Sequence, residues 1–106
     1  MKKEIHETSN LKRDLKFPYY TQQVEFEAGI YVMGELVEIS GGKVKKLTSP
    51  EKIYGVVTDD FTSDGDKNKK HTVYWTGAFN KAAINFNGQN EEETIQAARK
   101  LLIMIG

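Results

Sequence analysis

The chain has 106 residues, with 15 Lys and Arg against 15 Asp and Glu and no Cys. That length is one small domain. The balanced charge argues against a general nucleic-acid binder, which needs surplus cations. The lack of Cys removes disulfides, thiolate metal sites and thiol catalysis.

Met1 to Lys16 is polar and of mixed charge, with Ile5, Leu11 and Leu15 as its main apolar side chains. Such a stretch buries too little surface to offset its ordering entropy, so it reads as a mobile arm. Phe17-Pro18-Tyr19-Tyr20 is an aromatic cluster that is either a core anchor or a docking element. Residues 1–20 are therefore taken as a flexible N-terminal arm and 21–106 as the domain.

Val24-Glu25-Phe26-Glu27-Ala28 alternates apolar and charged side chains, the period of a half-buried strand, and Gly29 ends it. Tyr31 to Gly34 reads as a turn-like link. Glu35 to Ser40, Gly41-Gly42 and Lys43 to Leu47 form a hairpin, because a Gly-Gly loop accepts the positive φ angles of a tight turn. Acidic residues of its first strand face lysines of its second. Lys52 to Thr58 is a strand in which Gly55 marks a bulge or a close backbone approach.

Asp59 to Lys70 reads as a long polar loop and His71 to Gly77 as a further strand. Asn80 opens a short helical turn through Ile84. Asn90 followed by Glu93 fits a helix N-cap, and Glu91 to Leu102 a helix with Ile95, Ala98 and Leu102 on its apolar face. Arg99 and Lys100 suit its C-terminal dipole. Ile103-Met104-Ile105 is a closing strand.

No constellation for chemistry survives this pass. His6 and His71 lack neighbouring ligands at metal spacing and read as ordinary surface histidines. In the acidic loop from Asp59, the position that a calcium loop fills with a bidentate Glu holds Lys70. No catalytic residue, cofactor or metal is expected, and the protein is not read as an enzyme. Lys43, Lys45, Lys46 and Lys52 with Tyr54, Tyr74 and Trp75 permit one alternative, a small β-barrel that binds single-stranded nucleic acid. Against it, lysines blunt exposed hairpins and aromatics fill cores. The longest apolar run, Leu101 to Ile105, is too short to span a bilayer, and Met1 to His6 has no apolar core of a secretory signal.

The order from Phe26 to Ile105 forms one pattern. The strand ending at Gly29 is followed by Val32-Met33-Gly34-Glu35-Leu36-Val37, the Gly-Gly hairpin and Ile53-Tyr54-Gly55-Val56-Val57. After the polar loop come Tyr74-Trp75-Thr76-Gly77-Ala78-Phe79-Asn80 with Ala82-Ala83-Ile84, and a closing helix running into Ile103-Met104-Ile105. This pattern resembles the head decoration proteins of tailed phages, the lambda-type capsid-stabilising family. The resemblance implies a mainly β (α+β) domain, barrel-like or β-tulip, with one C-terminal helix. It implies a homotrimer on the outer surface of the expanded head, assembled in the host cytoplasm. It also implies a partner, the major capsid protein, and no role for nucleic acid or membrane.

An arm that orders on the shell is implied too, which makes Leu11, Leu15, Phe17, Pro18, Tyr19 and Tyr20 the candidate capsid-binding residues. Deleting Met1 to Tyr20 is then expected to leave a folded domain that no longer binds shells. The arm departs from the family pattern in being charged and poor in small residues. A different virion part, such as a tail or head-completion protein, is a further alternative.

Overall fold

A computed structural model describes residues 11–13, 16–65 and 69–106. The expectations for residues 1–10, for Leu15 and for 66–68 lie outside these. The elements are β1 (Thr21–Glu25), β2 (Gly29–Tyr31), β3 (Leu36–Ser40), β4 (Lys43–Lys46), β5 (Ile53–Val57), β6 (Phe61–Ser63), β7 (Lys70–Tyr74), β8 (Gly77–Phe79), α1 (Glu91–Arg99) and β9 (Ile103–Ile105). Short 3-10 turns cover Pro50–Lys52 and Lys81–Ala83. The protein is mainly β with one C-terminal helix, as expected.

The hairpin β3–β4 is built as its glycines require. Gly41 and Gly42 have φ of 61° and 85°, and Ser40 pairs with Lys43 across the turn. A Cβ at either glycine would meet nothing, so it is the left-handed backbone and not space that selects glycine there. Gly55 answers to both sequence readings. The register of β3 on β5 shifts between Val37 and Glu38, and a Cβ at Gly55 would lie 2.7 Å from the Tyr74 carbonyl oxygen.

One antiparallel sheet runs in the order β1-β7-β5-β3-β4. Beyond β1 the chain crosses to the opposite edge: Phe26 bridges Val44 in parallel, and the Glu27 N–H donates to the Val44 carbonyl at 2.8 Å. The sheet is thus curled into a barrel-like shape without closing along its length. Phe26, Tyr31, Val37, Val44, Val57 and Val73 fill the inside of the curl. Leu36, Ile53 and Val56 face outward, onto a second core with Leu11, Phe79, Phe86, Ala98, Ile103 and Ile105. Both faces of β3 and β5 are covered, which is why Leu36-Val37 and Val56-Val57 are apolar pairs and not apolar-polar alternations.

Three local expectations change. The first strand is Thr21–Glu25, displaced from Val24 to Ala28, because the chain turns toward β4 at Phe26. The link at Tyr31 and the loop after Asp59 each contain a three-residue strand: β2 and β6 pair antiparallel, Tyr31 opposite Phe61. An aromatic stack holds them. Phe61 lies against Tyr31 with ring centroids 5.3 Å apart, and His71 stacks on Phe61 at 3.8 Å, so this histidine is half-buried and not an ordinary surface one. Finally, α1 stops at Arg99. Leu102 lies beyond it with φ of 65° and is exposed, while Thr94 and Ala98 form the buried stripe.

The start of α1 is as read. Asn90 caps it, its side-chain oxygen accepting from the Glu93 N–H at 2.9 Å.

Candidate functional site

The small third sheet joins segments far apart in sequence. β8 pairs in parallel with β9, and on its other side Phe79 bridges Lys12 antiparallel. The Arg13 N–H donates to the Ala78 carbonyl and the Asn80 N–H to the Leu11 carbonyl, both at 2.8 Å. The N-terminal segment therefore adds as a short strand to the free edge of β8.

The segment Tyr74 to Asn80 is its seat. The Thr76 hydroxyl donates to the Pro18 carbonyl at 2.9 Å and accepts from the Tyr20 N–H at 3.2 Å. The Trp75 N–H donates to the Tyr20 carbonyl at 2.7 Å. A Cβ at Gly77 would lie 2.5 Å from both the Tyr19 and Phe79 rings, so only glycine lets Tyr19 lie across the strand. The Tyr19 hydroxyl donates to the Ala78 carbonyl at 2.7 Å. Its ring packs at 5.8 Å against both Tyr74 and Phe79, with the Lys12 ammonium 4.7 Å from its centre.

This geometry sorts the candidate residues. Leu11 is a core side chain: it is 2% exposed and belongs to the same buried cluster as Phe79 and Leu36. Tyr19 is half-buried and is an anchor, and Phe17 is half-buried against it, ring centroids 6.4 Å apart. Pro18 and Tyr20 face outward, Tyr20 with 65% of its surface exposed. Leu15 lies outside the described residues. The deletion through Tyr20 that the sequence favoured would thus remove core side chains.

Three of the four lysines in the basic strip of the alternative reading are engaged within the chain. Lys43 donates to the Gly65 carbonyl at 2.7 Å, and Lys45 lies 3.7 Å from Glu38. Lys46 meets the buried Glu35 at 2.6 Å, donates to the Ile30 carbonyl and covers the Tyr31 ring. The second oxygen of Glu35 accepts from the Val32 N–H at 3.1 Å, so one ion pair ties β2 and the link after it to the hairpin. Tyr54 and Trp75 do form an edge-to-face surface pair at 6.1 Å, whereas Tyr74 turns inward.

Glu38 is a second buried carboxylate, 2% exposed. Burial pushes its carboxyl up. The N–H and hydroxyl of Thr48, each 2.8 Å from one oxygen, together with Lys45 and Lys52, outweigh that and hold it below the usual carboxylate value. A depressed folded value means that its stabilisation is complete above the ordinary Glu value of about 4.3 and is lost as pH falls through the lower folded value. Melting temperatures taken from roughly pH 6 down to 2 are expected to fall less steeply at the acid end for Glu38→Gln than for wild type. Parallel curves would remove Glu38 from the acid response.

Among the described residues no group of three or more His, Asp or Glu gathers at metal-binding distance, and no helix is long and apolar enough to cross a membrane. The described acids of the Asp59 loop are turned to other uses. Asp60 accepts from the Met33 N–H at 2.8 Å, and Asp64 pairs with Lys69 at 3.2 Å. No protein-family model matches the chain, and no curated protein does.

Proposed function

We propose that the protein decorates the outside of a tailed-phage head, binding the expanded shell as trimers and stabilising it. One observation carries this reading. The Tyr74 to Asn80 segment, one of the two most telling pieces of the resemblance to head decoration proteins, is the same segment that holds Leu11, Arg13 and residues 18–20 by its hydroxyl, its main-chain groups and its glycine gap. Sequence resemblance and arm attachment thus meet at one place in the fold.

In this mechanism the first ten residues lie against an exposed strand edge of the major capsid protein, where main-chain hydrogen bonds supply affinity, while Pro18 and Tyr20, whose main-chain groups bond to Thr76 and Trp75, contribute only their outward-facing side chains. Each trimer clamps several capsid subunits, so avidity does not depend on strong single contacts. Binding the expanded shell and not its alternatives stabilises it by mass action. Weighing against the nucleic-acid alternative is the engagement of Lys43, Lys45 and Lys46 with partners inside the chain.

The test is cosedimentation with heads of the cognate phage before and after expansion. Binding to expanded heads alone, saturating at one trimer per local threefold position, is the expected result. Binding to neither form overturns the reading and turns attention to salt-sensitive oligonucleotide binding. A variant lacking residues 2–10 tests the arm while leaving Leu11 in the core, and it is expected to stay folded and lose most of its shell binding. Full decoration by that variant would remove the arm from the mechanism.

A further inference from the structure

The turn from Phe86 to Gln89 has an Asn-Gly pair at its centre. Asn87 and Gly88 have φ of 53° and 79°, and the Gln89 N–H donates to the Phe86 carbonyl at 3.0 Å across them. Two successive left-handed residues make this turn, and asparagine is one of the few residues with a side chain that accepts such a backbone.

The pair brings a chemistry with it. Ring closure between the Gly88 nitrogen and the Asn87 side-chain Cγ gives a five-membered cyclic imide, and glycine places no side chain beside the attacking nitrogen. The N–Cγ bond forms and the Cγ–Nδ2 bond breaks. Nδ2 leaves as ammonia, taking the proton given up by the Gly88 nitrogen. Water then opens the imide at either carbonyl and leaves an aspartate or an isoaspartate at position 87.

The fold holds the amide away from this path. Nδ2 donates to the Leu36 carbonyl at 2.8 Å, across 51 positions of the chain. The Asn87 N–H donates to the Asn85 side-chain oxygen at 2.9 Å, and the Asn87 carbonyl accepts from Gln89 Nε2 at 3.3 Å. Asn87 is half-buried although Gly88 is exposed. With Nδ2 fixed on Leu36, the amide is not free to turn its face to the Gly88 nitrogen. The reaction therefore runs through an opened loop, at the unfolded-chain rate scaled by the fraction of time the loop is open.

The product does not fit back. A carboxylate sets an oxygen in place of the donor that faced the Leu36 carbonyl. An isoaspartate also lengthens the backbone inside the turn. What depends on this loop is the seam between β3 and α1. The Asn85 carbonyl accepts from the Leu36 N–H at 3.0 Å, Phe86 is buried in the core, and Asn90 caps α1.

We propose that Asn87-Gly88 is a deamidation site guarded by the bond to Leu36, at which an opening of the 85–90 loop is converted into a permanent negative charge and a loosened seam between β3 and α1. The site stands on these contacts and is independent of the decoration reading.

The full chain, folded in buffer or unfolded in guanidinium chloride, is incubated at mildly alkaline pH. The peptide that holds Asn87 is followed by mass spectrometry, and the whole chain by isoelectric focusing, where the balanced charge makes one added carboxylate visible. Deamidation at Asn87 is expected to be at least about tenfold slower in the folded chain. Gln89→Ala removes the side-chain bonds to the Asn87 and Leu47 carbonyls, at 3.3 and 3.5 Å, and leaves the reacting pair intact. It is expected to speed the reaction severalfold in the folded chain and to leave the unfolded rate unchanged. Asn87→Asp carries the product's carboxylate from the start and is expected to melt about 4 °C or more below wild type. No reaction at Asn87 in the unfolded chain overturns the site, and equal rates in the two states overturn its guarding. A Gln89→Ala rate equal to wild type in the folded chain overturns the loop as the gate. An unchanged melting temperature for Asn87→Asp overturns the loosened seam.

Discussion

Gly34→Ala is expected to cost about 3–5 kcal/mol, the sum of left-handed backbone strain and overpacking. Gly34 has φ of 87°, and a Cβ built there would lie 2.2 Å from the Ala83 carbonyl oxygen. Neither side can give way cheaply. The Gly34 N–H donates to Val57 at 2.9 Å, the Gly34 carbonyl accepts from Asn85 at 2.9 Å, and the Leu36 N–H donates to Asn85 at 3.0 Å. The Ala83 turn is itself tied back, its N–H on the Asn80 carbonyl at 2.9 Å. Moving either turn away breaks several of these bonds at once. Against a total stability of about 5–15 kcal/mol, such a loss is large enough to see as a displaced urea midpoint. A shift worth less than about 1 kcal/mol would mean that the Ala83 carbonyl rotates away freely despite these bonds.

Leu11→Ala is expected to cost about 2–4 kcal/mol, in the range for buried leucines. Its side chain sits among Leu36, Phe79, Ile84 and Ile105, so truncation leaves a cavity that the surrounding strands cannot fill. Tyr20→Ala, by contrast, removes an exposed ring and is expected to change stability by no more than about 0.5 kcal/mol. Paired denaturation curves for the two variants separate the anchoring part of the N-terminal segment from its exposed part. Equal effects would mean that Tyr20 contributes to the fold as much as Leu11 does.

What the sequence made legible was whatever rests on neighbouring residues. Gly41-Gly42 between two apolar-patterned runs announced the hairpin, and Asn90 with Glu93 announced the start of α1. Gly55 was legible as an interruption because a glycine inside a strand has few local explanations. Features set by distant partners were not. β2 and β6 have three residues each, too few to show alternation, and they exist by pairing with one another although β3, β4 and β5 lie between them in sequence. Leu11 is a lone leucine in a charged stretch, and nothing nearby signals that its carbonyl will meet Asn80. The pairing of the hairpin's acids with its lysines was legible and is present at Glu35–Lys46 and Glu38–Lys45, but the full burial of Glu35 was not, because the Val32 N–H that closes over it comes from the link before the hairpin. Leu102 fits the spacing of the helix stripe but falls after the helix has ended. The aromatic cluster at residues 17–20 admitted two uses, and its side chains split by burial: Tyr19 packs inward and Tyr20 stands exposed.

The sheet that joins Lys12, β8 and β9 also orders events in time. Its strands come from the early, middle and late parts of the chain, so it forms through the longest loop closures in the molecule and belongs to the slow part of folding. The curled sheet from β1 to β7 is synthesised before β9 and has most of its pairings available to it earlier. The small sheet that holds residues 11–13 against β8 therefore matures last, after synthesis has passed β9.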